Sequence, residues 1–362
     1  MTREEACAKR SEALAQYTNI GAIVSCEPYG NGHINDTFLT VVEGGKRYIL
    51  QRINQTVFPH PDEVMENILA VTRHIRAGVA AKGGDAERCT LTVIPTDSGA
   101  ACYRDSIGSW WRMFTFVEQT VAKDRVESIK EFAQCAKAFG RFQGELADFP
   151  AAQLHEAIAN FHNTPVRYEN LMRAIEKDPL GRVAEVQPEI AFVKARAAFV
   201  KTLENARSEG TLPLRVTHND TKLNNILFDA QSGEPICVID LDTVMPGYSV
   251  NDFGDSIRFG ANTAAEDETD LSKVSLDLEL YHAYAKGFLA GCDGKLTAKE
   301  VELLPIGARM MTLECGMRFL TDYIEGDTYF RIARPSHNLD RCRCQFALVA
   351  DMEKKEEQMK LC

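Results

Sequence analysis

The chain has 362 residues, of which 45% are hydrophobic and 26% are charged. That length and apolar content are sufficient to bury a large core and fit about two domains. The 52 acidic residues outnumber the 41 Lys and Arg residues, and the formal net charge of -11 opposes non-specific binding to nucleic acid or anionic lipid.

The sequence also indicates where the protein resides. No apolar run approaches the roughly 20 residues that a membrane-spanning helix needs, and Met1–Glu5 lacks the apolar stretch of a signal peptide. The eleven cysteines are scattered, and Cys135 and Cys237 lie within apolar patterns. Cys342 and Cys344 form a C-x-C without a second pair at zinc-ligand spacing. We therefore expect a cytoplasmic protein with reduced cysteines and no structural metal.

In chain order, the first third predicts a helix followed by a sheet. The string Thr2–Glu5 fits a capping box, so the first helix should run to about Tyr17. Two β-rich runs, Thr37–Val42 and Arg47–Ile53, are joined through Gly44-Gly45 as a hairpin. A helix over 62–76 and strands near 91–94 and 110–116 complete this region.

Beyond Val117 the pattern becomes helical. Apolar residues recur at three- and four-residue steps, as on an amphipathic helix, at Phe132, Cys135, Phe139, Phe142 and Leu146. Short apolar runs flanked by polar loops interrupt the helical remainder over 214–239. We therefore predict an N-terminal lobe over 1–117, a larger, mostly helical lobe over 118–362, and a short hinge over 114–118.

The interruption carries a candidate catalytic loop, in which His218-Asn219-Asp220 is followed by Asn225 and then by a short apolar strand. Phosphoryl transfer needs a carboxylate to position and deprotonate the acceptor hydroxyl, and oxygen ligands to hold Mg2+ on the phosphates. Asp220 is the predicted base, and Asn225 is a predicted metal ligand. Asp240, directly after the strand residues Val238-Ile239, is the second predicted ligand.

Three neighbouring residues admit other interpretations. The D-F-G triplet at Asp252 lies well past the strand end and begins a helical run, so we assign the metal to Asp240 instead. His218 is expected to brace the loop from the core. Lys222 either neutralises the transferring phosphoryl group, which we favour and which would make it catalytic, or is simply solvated.

The nucleotide end of the site is expected in the first lobe. Gly30 and Gly32 lie in the stretch that ends at Asn35, between two strands, where small residues let backbone N–H groups approach phosphates. Phe116 and Glu118, at the hinge, are assigned to the same nucleotide site.

The third strand departs from the protein-kinase pattern. It reads Leu50-Gln51-Arg52 where protein kinases carry a phosphate-binding Lys, so the charge comes from Arg52 or is absent. Glu63 or Glu66 on the following helix either pairs with Arg52 or is a solvated surface charge.

These strings resemble those of the aminoglycoside phosphotransferase and choline kinase superfamily, through 218–225 and Ile239-Asp240-Leu241-Asp242. Essentially the whole chain is similar to N-acetylhexosamine 1-kinases, through 29–35, 215–227, 252–260, 314–320 and 325–330. The resemblance implies an α+β, protein-kinase-like two-lobe fold that uses ATP and Mg2+ to phosphorylate the anomeric hydroxyl of N-acetylglucosamine or N-acetylgalactosamine. By the same resemblance, the residues expected around the sugar are His33, Asp220, Asp240, Thr243, Phe259, Arg318 and Tyr329.

Other readings stay open at this point. Arg318 follows Glu314 by four residues, so a surface ion pair is the plain alternative, and Tyr329 alone suggests a half-buried aromatic. The acceptor could instead be an aminoglycoside, choline, homoserine or methylthioribose. The absent third-strand Lys would also suit a non-catalytic pseudokinase. The expected partner is a small-molecule sugar, and the expected state is a monomer or weak homo-oligomer.

Overall fold

The computed structural model describes residues 3–30, 34–123, 126 and 128–361. The chain forms two compact units. The first comprises the residues up to Ala122 together with Ala152–Ala159 and Leu227–Met245. The second comprises Lys123–Ala151, Asn160–Ile226 and the residues from Pro246 onward.

The first unit is built on an antiparallel sheet, whose strands are β1 (Ile23–Pro28), β2 (Asp36–Val42), β3 (Arg47–Ile53), β4 (Val93–Ile94), β5 (Tyr103–Arg104) and β6 (Trp110–Thr115). The strand order is β1-β2-β3-β6-β4, and β5 also pairs with β6. The predicted β2–β3 hairpin is confirmed. Gly44 and Gly45 adopt φ angles of 85° and 82°, a region that glycine enters without steric cost.

Helices α1 (Arg3–Leu14) and α2 (Pro61–Ala81) belong to the same unit. Thr2 of the predicted capping box lies outside the described residues. Helix α2 begins with Pro61, whose fixed φ suits the first turn. Its buried residues recur at three- and four-residue spacing, at Val64, Ile68, Val71 and Ile75. The helix predicted over 62–76 is therefore confirmed and continues to Ala81.

A second, smaller sheet has the order β10-β9-β7, from β7 (Thr120–Ala122), β9 (Ile226–Asp229) and β10 (Pro235–Val238). The β9–β10 turn is held by Asp229, whose carboxylate accepts the backbone N–H groups of Gln231 and Ser232. Arg88 binds the same carboxylate at 2.9 Å. Because β10 ends at Val238, Asp240 lies two residues beyond a strand that this turn fixes.

The second unit is mostly helical, as predicted. Its helices are α3 (Ile129–Glu145), α4 (Thr164–Lys177), α5 (Gln187–Lys194), α6 (Thr202–Ser208), α7 (Ser249–Gly260), α8 (Leu278–Cys292), α9 (Ala298–Glu325), α10 (His337–Lys354) and α11 (Glu356–Met359). Strand β8 (Arg215–Thr217) pairs with β11 (Met245–Gly247). The stripe that begins at Phe132 is confirmed as the buried face of α3.

Glycines allow the central helices to approach closely. A Cβ atom on Gly254 of α7 would lie 2.4 Å from the carbonyl oxygen of Gly307 in α9, and one on Gly140 of α3 would lie 2.1 Å from that of Phe288 in α8. A methyl group at either position would clash with the facing backbone unless the helices moved apart. Helix α7 is consequently buried from Ser249 to Arg258.

Two further expectations can be compared with the structure. Cys135 in α3 is a buried, free cysteine. Among the described residues, no helix is both long and apolar enough to cross a membrane.

Candidate active site

Both carboxylate oxygens of the predicted base are held in the second unit. Asp220 Oδ1 lies 2.6 Å from Lys222 Nζ, and Asp220 Oδ2 accepts a hydrogen bond from Asn225 Nδ2 at 3.0 Å. The same amide nitrogen donates to the Asp220 backbone carbonyl at 2.8 Å. The Nδ2 group of Asn225 thus faces the base, and its Oδ1 is the atom suited to bind a metal.

The charge on Lys222 is stabilised by this ion pair. Although burial lowers it, the attraction of Asp220 leaves the pKa of Lys222 above its ordinary value. The side chain of Lys222 is 44% exposed, so it can contact a ligand as well as the base.

His218 supports the loop from the core, which confirms the interpretation made from the sequence. It is fully buried, and its ring packs edge-on against Phe139 and Phe142 of α3 at centroid distances of 5.4 and 5.8 Å. Its Nδ1 accepts the backbone N–H of Asp220 at 3.3 Å. The imidazole therefore fixes the backbone that carries the base.

Asp252 of the D-F-G triplet is a second brace of the same loop. Its two carboxylate oxygens accept the backbone N–H groups of His218 and Asn219, each at 2.8 Å, and one also accepts Gln143 Nε2 at 2.6 Å. The side chain is fully buried. Burial raises the pKa of Asp252 above its ordinary value, although these donors act to lower it. The sequence excluded Asp252 as the metal ligand but did not reveal this role, because the two segments are distant in the chain.

A buried Glu–His pair adjoins the catalytic loop. Glu314 of α9 accepts hydrogen bonds from His162 Nδ1 at 2.8 Å and Thr164 Oγ1 at 2.6 Å. His162 Nε2 lies 3.5 Å from the carbonyl oxygen of Asn219. Burial alone would raise the pKa of Glu314. The hydrogen bonds from His162 and Thr164 and the charge of Arg318 lower it, and the pKa of Glu314 lies below its ordinary value. Glu314 is therefore not part of a surface ion pair.

Arg318, one helical turn after Glu314, is surrounded by aromatic rings. Its guanidinium carbon lies 5.6 Å from the ring centre of Phe161, 5.8 Å from that of Tyr329 and 5.4 Å from that of Phe330. Such contacts hold a cation in place without neutralising it. The Tyr329 ring is exposed, as is Phe259 in α7. The structure thus brings together Arg318 and Tyr329 of the predicted sugar residues.

The loop that carries Tyr329 is organised by Asp322, which the sequence did not single out. The Asp322 carboxylate accepts three successive backbone N–H groups, from Thr328, Tyr329 and Phe330, at 2.8–2.9 Å. It also accepts Asn338 Nδ2 at 2.9 Å. A buried carboxylate with four donors fixes this loop more firmly than side-chain packing alone would.

The predicted metal loop belongs to the first unit. Asp240 has φ 58° and ψ 58°, a left-handed conformation that costs a non-glycine residue roughly 1–2 kcal/mol. Such strain is often found at functional positions. Thr243 ends the short 3-10 turn Leu241–Thr243 that follows. Asp242 is buried in that turn, 2.5 Å from Arg112 Nη1.

The candidate nucleotide residues of the first unit form a polar and aromatic group. Tyr29 stacks edge-on against Phe116 at 6.0 Å, and the guanidinium carbon of Arg47 lies 4.1 Å from the centre of the Phe116 ring. Arg47 Nε donates to Glu118 Oε1 at 3.0 Å. Gly30 adopts φ 74°. Gly32 and His33 lie outside the described residues.

Arg52 of the third strand forms an ion pair with the neighbouring strand. Arg52 Nε donates to Asp36 Oδ2 at 2.8 Å, and the two residues are register partners on β3 and β2. Glu66 binds His155 at 2.7 Å. Gln51 instead accepts two hydrogen bonds from Arg112.

Comparisons with known proteins agree with this arrangement. The sequence pattern of the phosphotransferase enzyme family matches residues 25–286. An aminoglycoside phosphotransferase from Alicyclobacillus acidocaldarius is 16% identical with a TM-score of 0.60, covering 96% of each chain. The amicoumacin kinase hAmiN, solved with AMP-PNP and Ca2+, is 12% identical with a TM-score of 0.57, covering 98% of this chain and 96% of its own.

A third similar structure is the choline kinase LicA from Streptococcus pneumoniae, at 13% identity and a TM-score of 0.52, covering 98% of this chain and all of its own. These likenesses show the protein-kinase-like α+β fold. Because the family pattern matches well over half of the sequence, the chain belongs to the phosphotransferase enzyme family.

Proposed function

We propose that this protein is a kinase that transfers the γ-phosphoryl group of ATP to the anomeric hydroxyl of an N-acetylhexosamine. Asp220 is the general base, Asn225 and Asp240 bind Mg2+, and Lys222 neutralises charge on the transferring group. The acceptor is assigned from the resemblance to N-acetylhexosamine 1-kinases. The contacts of Asp220 are the observation that supports its proposed role as general base.

Asp220 is prepared to accept a proton. Lys222 and Asn225 bind its two oxygens, so the orientation of the carboxylate is restricted before any substrate arrives. His218 and Asp252 fix the backbone on either side of Asn219. An anomeric hydroxyl is more acidic than an ordinary alcohol, which suits a carboxylate base.

In the proposed reaction, the anomeric O–H transfers its proton to Asp220 while the anomeric oxygen bonds to the γ-phosphorus. The bond between that phosphorus and the β,γ-bridging oxygen breaks, and ADP leaves with the electron pair. The transition state is stabilised mainly by positioning and charge neutralisation. Lys222, beside Asp220, supplies a positive charge where the phosphoryl oxygens approach.

Oxygen ligands fit the proposed metal. Mg2+ favours carboxylate and amide oxygens and shares its coordination with nucleotide phosphates, where it neutralises developing charge. Asp240 supplies a carboxylate and Asn225 an amide oxygen. The backbone of Asp240 is fixed in an uncommon conformation, and the amide of Asn225 is oriented by its bonds to Asp220.

The surroundings of the acceptor residues favour a neutral sugar over a cation. Arg318 and Arg167 lie close enough to interact electrostatically, and burial with the repulsion of Arg318 lowers the pKa of Arg167. The nearby carboxylate of Glu314 is buried and already accepts two hydrogen bonds. A cationic acceptor such as choline would meet positive charge here, whereas Arg318 can donate to sugar oxygens and Tyr329 can stack on a sugar ring. His33, Thr243 and Phe259 complete the proposed set.

The test is an acceptor panel with ADP formation as the readout. N-acetylglucosamine and N-acetylgalactosamine are compared with choline, an aminoglycoside, homoserine and methylthioribose, and phosphorus NMR identifies the product. We expect a sugar 1-phosphate from an N-acetylhexosamine. Turnover of only an amine would identify another small-molecule kinase. Nucleotide binding without turnover of any acceptor would favour the pseudokinase alternative.

An Arg318→Lys variant sharpens that test, with Arg331→Lys as its matched control on the exposed loop. Lysine keeps the charge but loses the paired donors of the guanidinium. We expect a higher KM for the hexosamine in Arg318→Lys, with the KM for ATP unchanged.

A further inference from the structure

The guanidinium of Arg112 in the first unit is buried, and the reaction proposed above assigns no role to it or to the residues that it contacts. Arg112 of β6 is 2% exposed and lies directly opposite Gln51 of β3. Its Nε and Nη2 donate to Gln51 Oε1 at 3.0 and 2.8 Å. Its Nη1 lies 2.5 Å from Asp242 Oδ1 and 3.8 Å from Met65 Sδ of α2.

Asp242 also contacts Asn35, the residue that precedes β2. Its Oδ2 accepts Asn35 Nδ2 at 2.6 Å, and Asn35 Oδ1 in turn accepts the backbone N–H of Asn54 at 3.0 Å. Asn35 ends the glycine-containing stretch that the sequence assigned to nucleotide phosphates. A single buried carboxylate therefore connects Asn35, β6 and the turn that follows Asp240.

Burying two opposite charges is costly, and apolar residues of similar volume often serve stability equally well. The Arg112–Asp242 pair is thus poorly explained by stability alone. Its position offers a reason, because Asp242 lies two residues after Asp240, whose left-handed backbone must be maintained. The nearly complete burial of Arg112 also argues against direct contact with a nucleotide.

We propose that Arg112, on the strand next to the one that lacks the lysine, is the positioning residue of the metal loop. It acts through Asp242, which holds the Asp240 turn, and Gln51 orients its guanidinium. Gln51 occupies the strand position where a lysine would reach the phosphates directly, and here it serves as an acceptor for Arg112. This inference rests on the proposed function of Asp240 as a metal ligand.

The test measures metal and nucleotide binding separately, without any acceptor. Binding of Mn2+ to the ADP complex is followed by electron paramagnetic resonance, and binding of ADP in EDTA by calorimetry. For Arg112→Gln we expect Mn2+ affinity to fall at least tenfold while ADP affinity in EDTA stays within twofold. Arg112→Lys should recover part of the Mn2+ affinity, because it restores the charge opposite Asp242.

Arg76→Gln is the matched control, since Arg76 also forms an ion pair with a carboxylate of the same unit, Glu87. It should leave both affinities within twofold of the wild type. If Arg112→Gln fails to fold, the double variant Arg112→Gln/Asp242→Asn removes both buried charges and is measured in its place, with the same expected loss of Mn2+ affinity.

Two results would overturn the inference. An equal loss of ADP affinity in EDTA would show that Arg112 contacts the phosphates directly. Mn2+ affinity within twofold of wild type would show that the pair is only structural. These readouts are independent of the acceptor, so the hexosamine assignment can fail while this inference stands. A wild-type protein that binds no Mn2+ with ADP would reject both this inference and the proposed metal site.

Discussion

The carboxylate of Asp252 in α7 accepts the backbone N–H of Asn219 at 2.8 Å, although 33 positions separate the two residues. Asn219 directly precedes the proposed base and has a positive φ of 64°. A non-glycine residue keeps that conformation only where its surroundings enforce it. The buried helix α7 therefore determines the shape of the proposed catalytic loop.

Replacing Asp252 with Asn should damage both stability and turnover. The amide would direct N–H groups at backbone donors that now face a carboxylate, so we expect a loss of about 2–4 kcal/mol in the free energy of unfolding. Turnover should fall in the folded fraction, since Asp220 loses its backbone support. Urea unfolding and kcat are the measurements, and Asp270→Asn at an exposed position is the control. Unchanged kcat would contradict the bracing role.

Glu314→Gln tests the Glu–His pair through its pH dependence. The pKa of Glu314 is lower in the folded protein than the ordinary value of about 4.3, so its contribution is present above that pH and is lost as pH falls through the folded pKa. The variant should be about 1–3 kcal/mol less stable at pH 7. The difference should shrink towards pH 3, and the exposed Glu302→Gln should show neither effect. A difference independent of pH would contradict an ionised Glu314.

Asp322→Asn should affect the acceptor and leave the nucleotide alone. It removes the charge that holds three consecutive N–H groups of the Tyr329 loop. We expect the KM for N-acetylglucosamine to rise about tenfold, equivalent to roughly 1.4 kcal/mol, with the KM for ATP within twofold. The neighbouring exposed Glu325→Gln is the control. An equal rise in both KM values would show a general loss of structure.

Two glycine substitutions should have opposite effects on the free energy of unfolding. Gly254→Ala places a methyl group 2.4 Å from the Gly307 carbonyl oxygen, so we expect destabilisation by about 1–3 kcal/mol. Gly78 in α2 faces open space, and Gly78→Ala should stabilise the protein by roughly 0.5–1 kcal/mol. Urea unfolding of the two variants tests this. A stable Gly254→Ala protein would mean that α7 and α9 can separate at little cost.

Local patterns in the sequence were enough to predict local structure. The β2–β3 hairpin, α2 and the stripe of α3 follow from turn residues and hydrophobic spacing, which act over a few residues. The Asp220–Asn225 loop was singled out because the proposed metal and base chemistry requires those residue types at short range. The buried position of His218 followed from the same motif.

The contacts that organise the site could not be predicted in this way. Arg52 was the sequence candidate for the missing lysine charge, but the β2–β3 register places it opposite Asp36. Arg112 lies opposite Gln51, so it shares the face of the third-strand residue that precedes Arg52. His162 and Glu314 are 152 positions apart, and only the folded helices bring them together.

The central claim is that Asp220 accepts the proton from the acceptor hydroxyl, and Asp220→Asn tests it most directly. Asparagine keeps the volume and can accept a hydrogen bond from Lys222 or Asn225 through its one amide oxygen, but it cannot accept the proton. Calorimetry with ADP and single-turnover kinetics with N-acetylglucosamine should give ADP affinity within threefold of wild type and a phosphoryl-transfer rate lower by about a thousandfold. A variant that phosphorylates the sugar within tenfold of the wild-type rate would contradict the account.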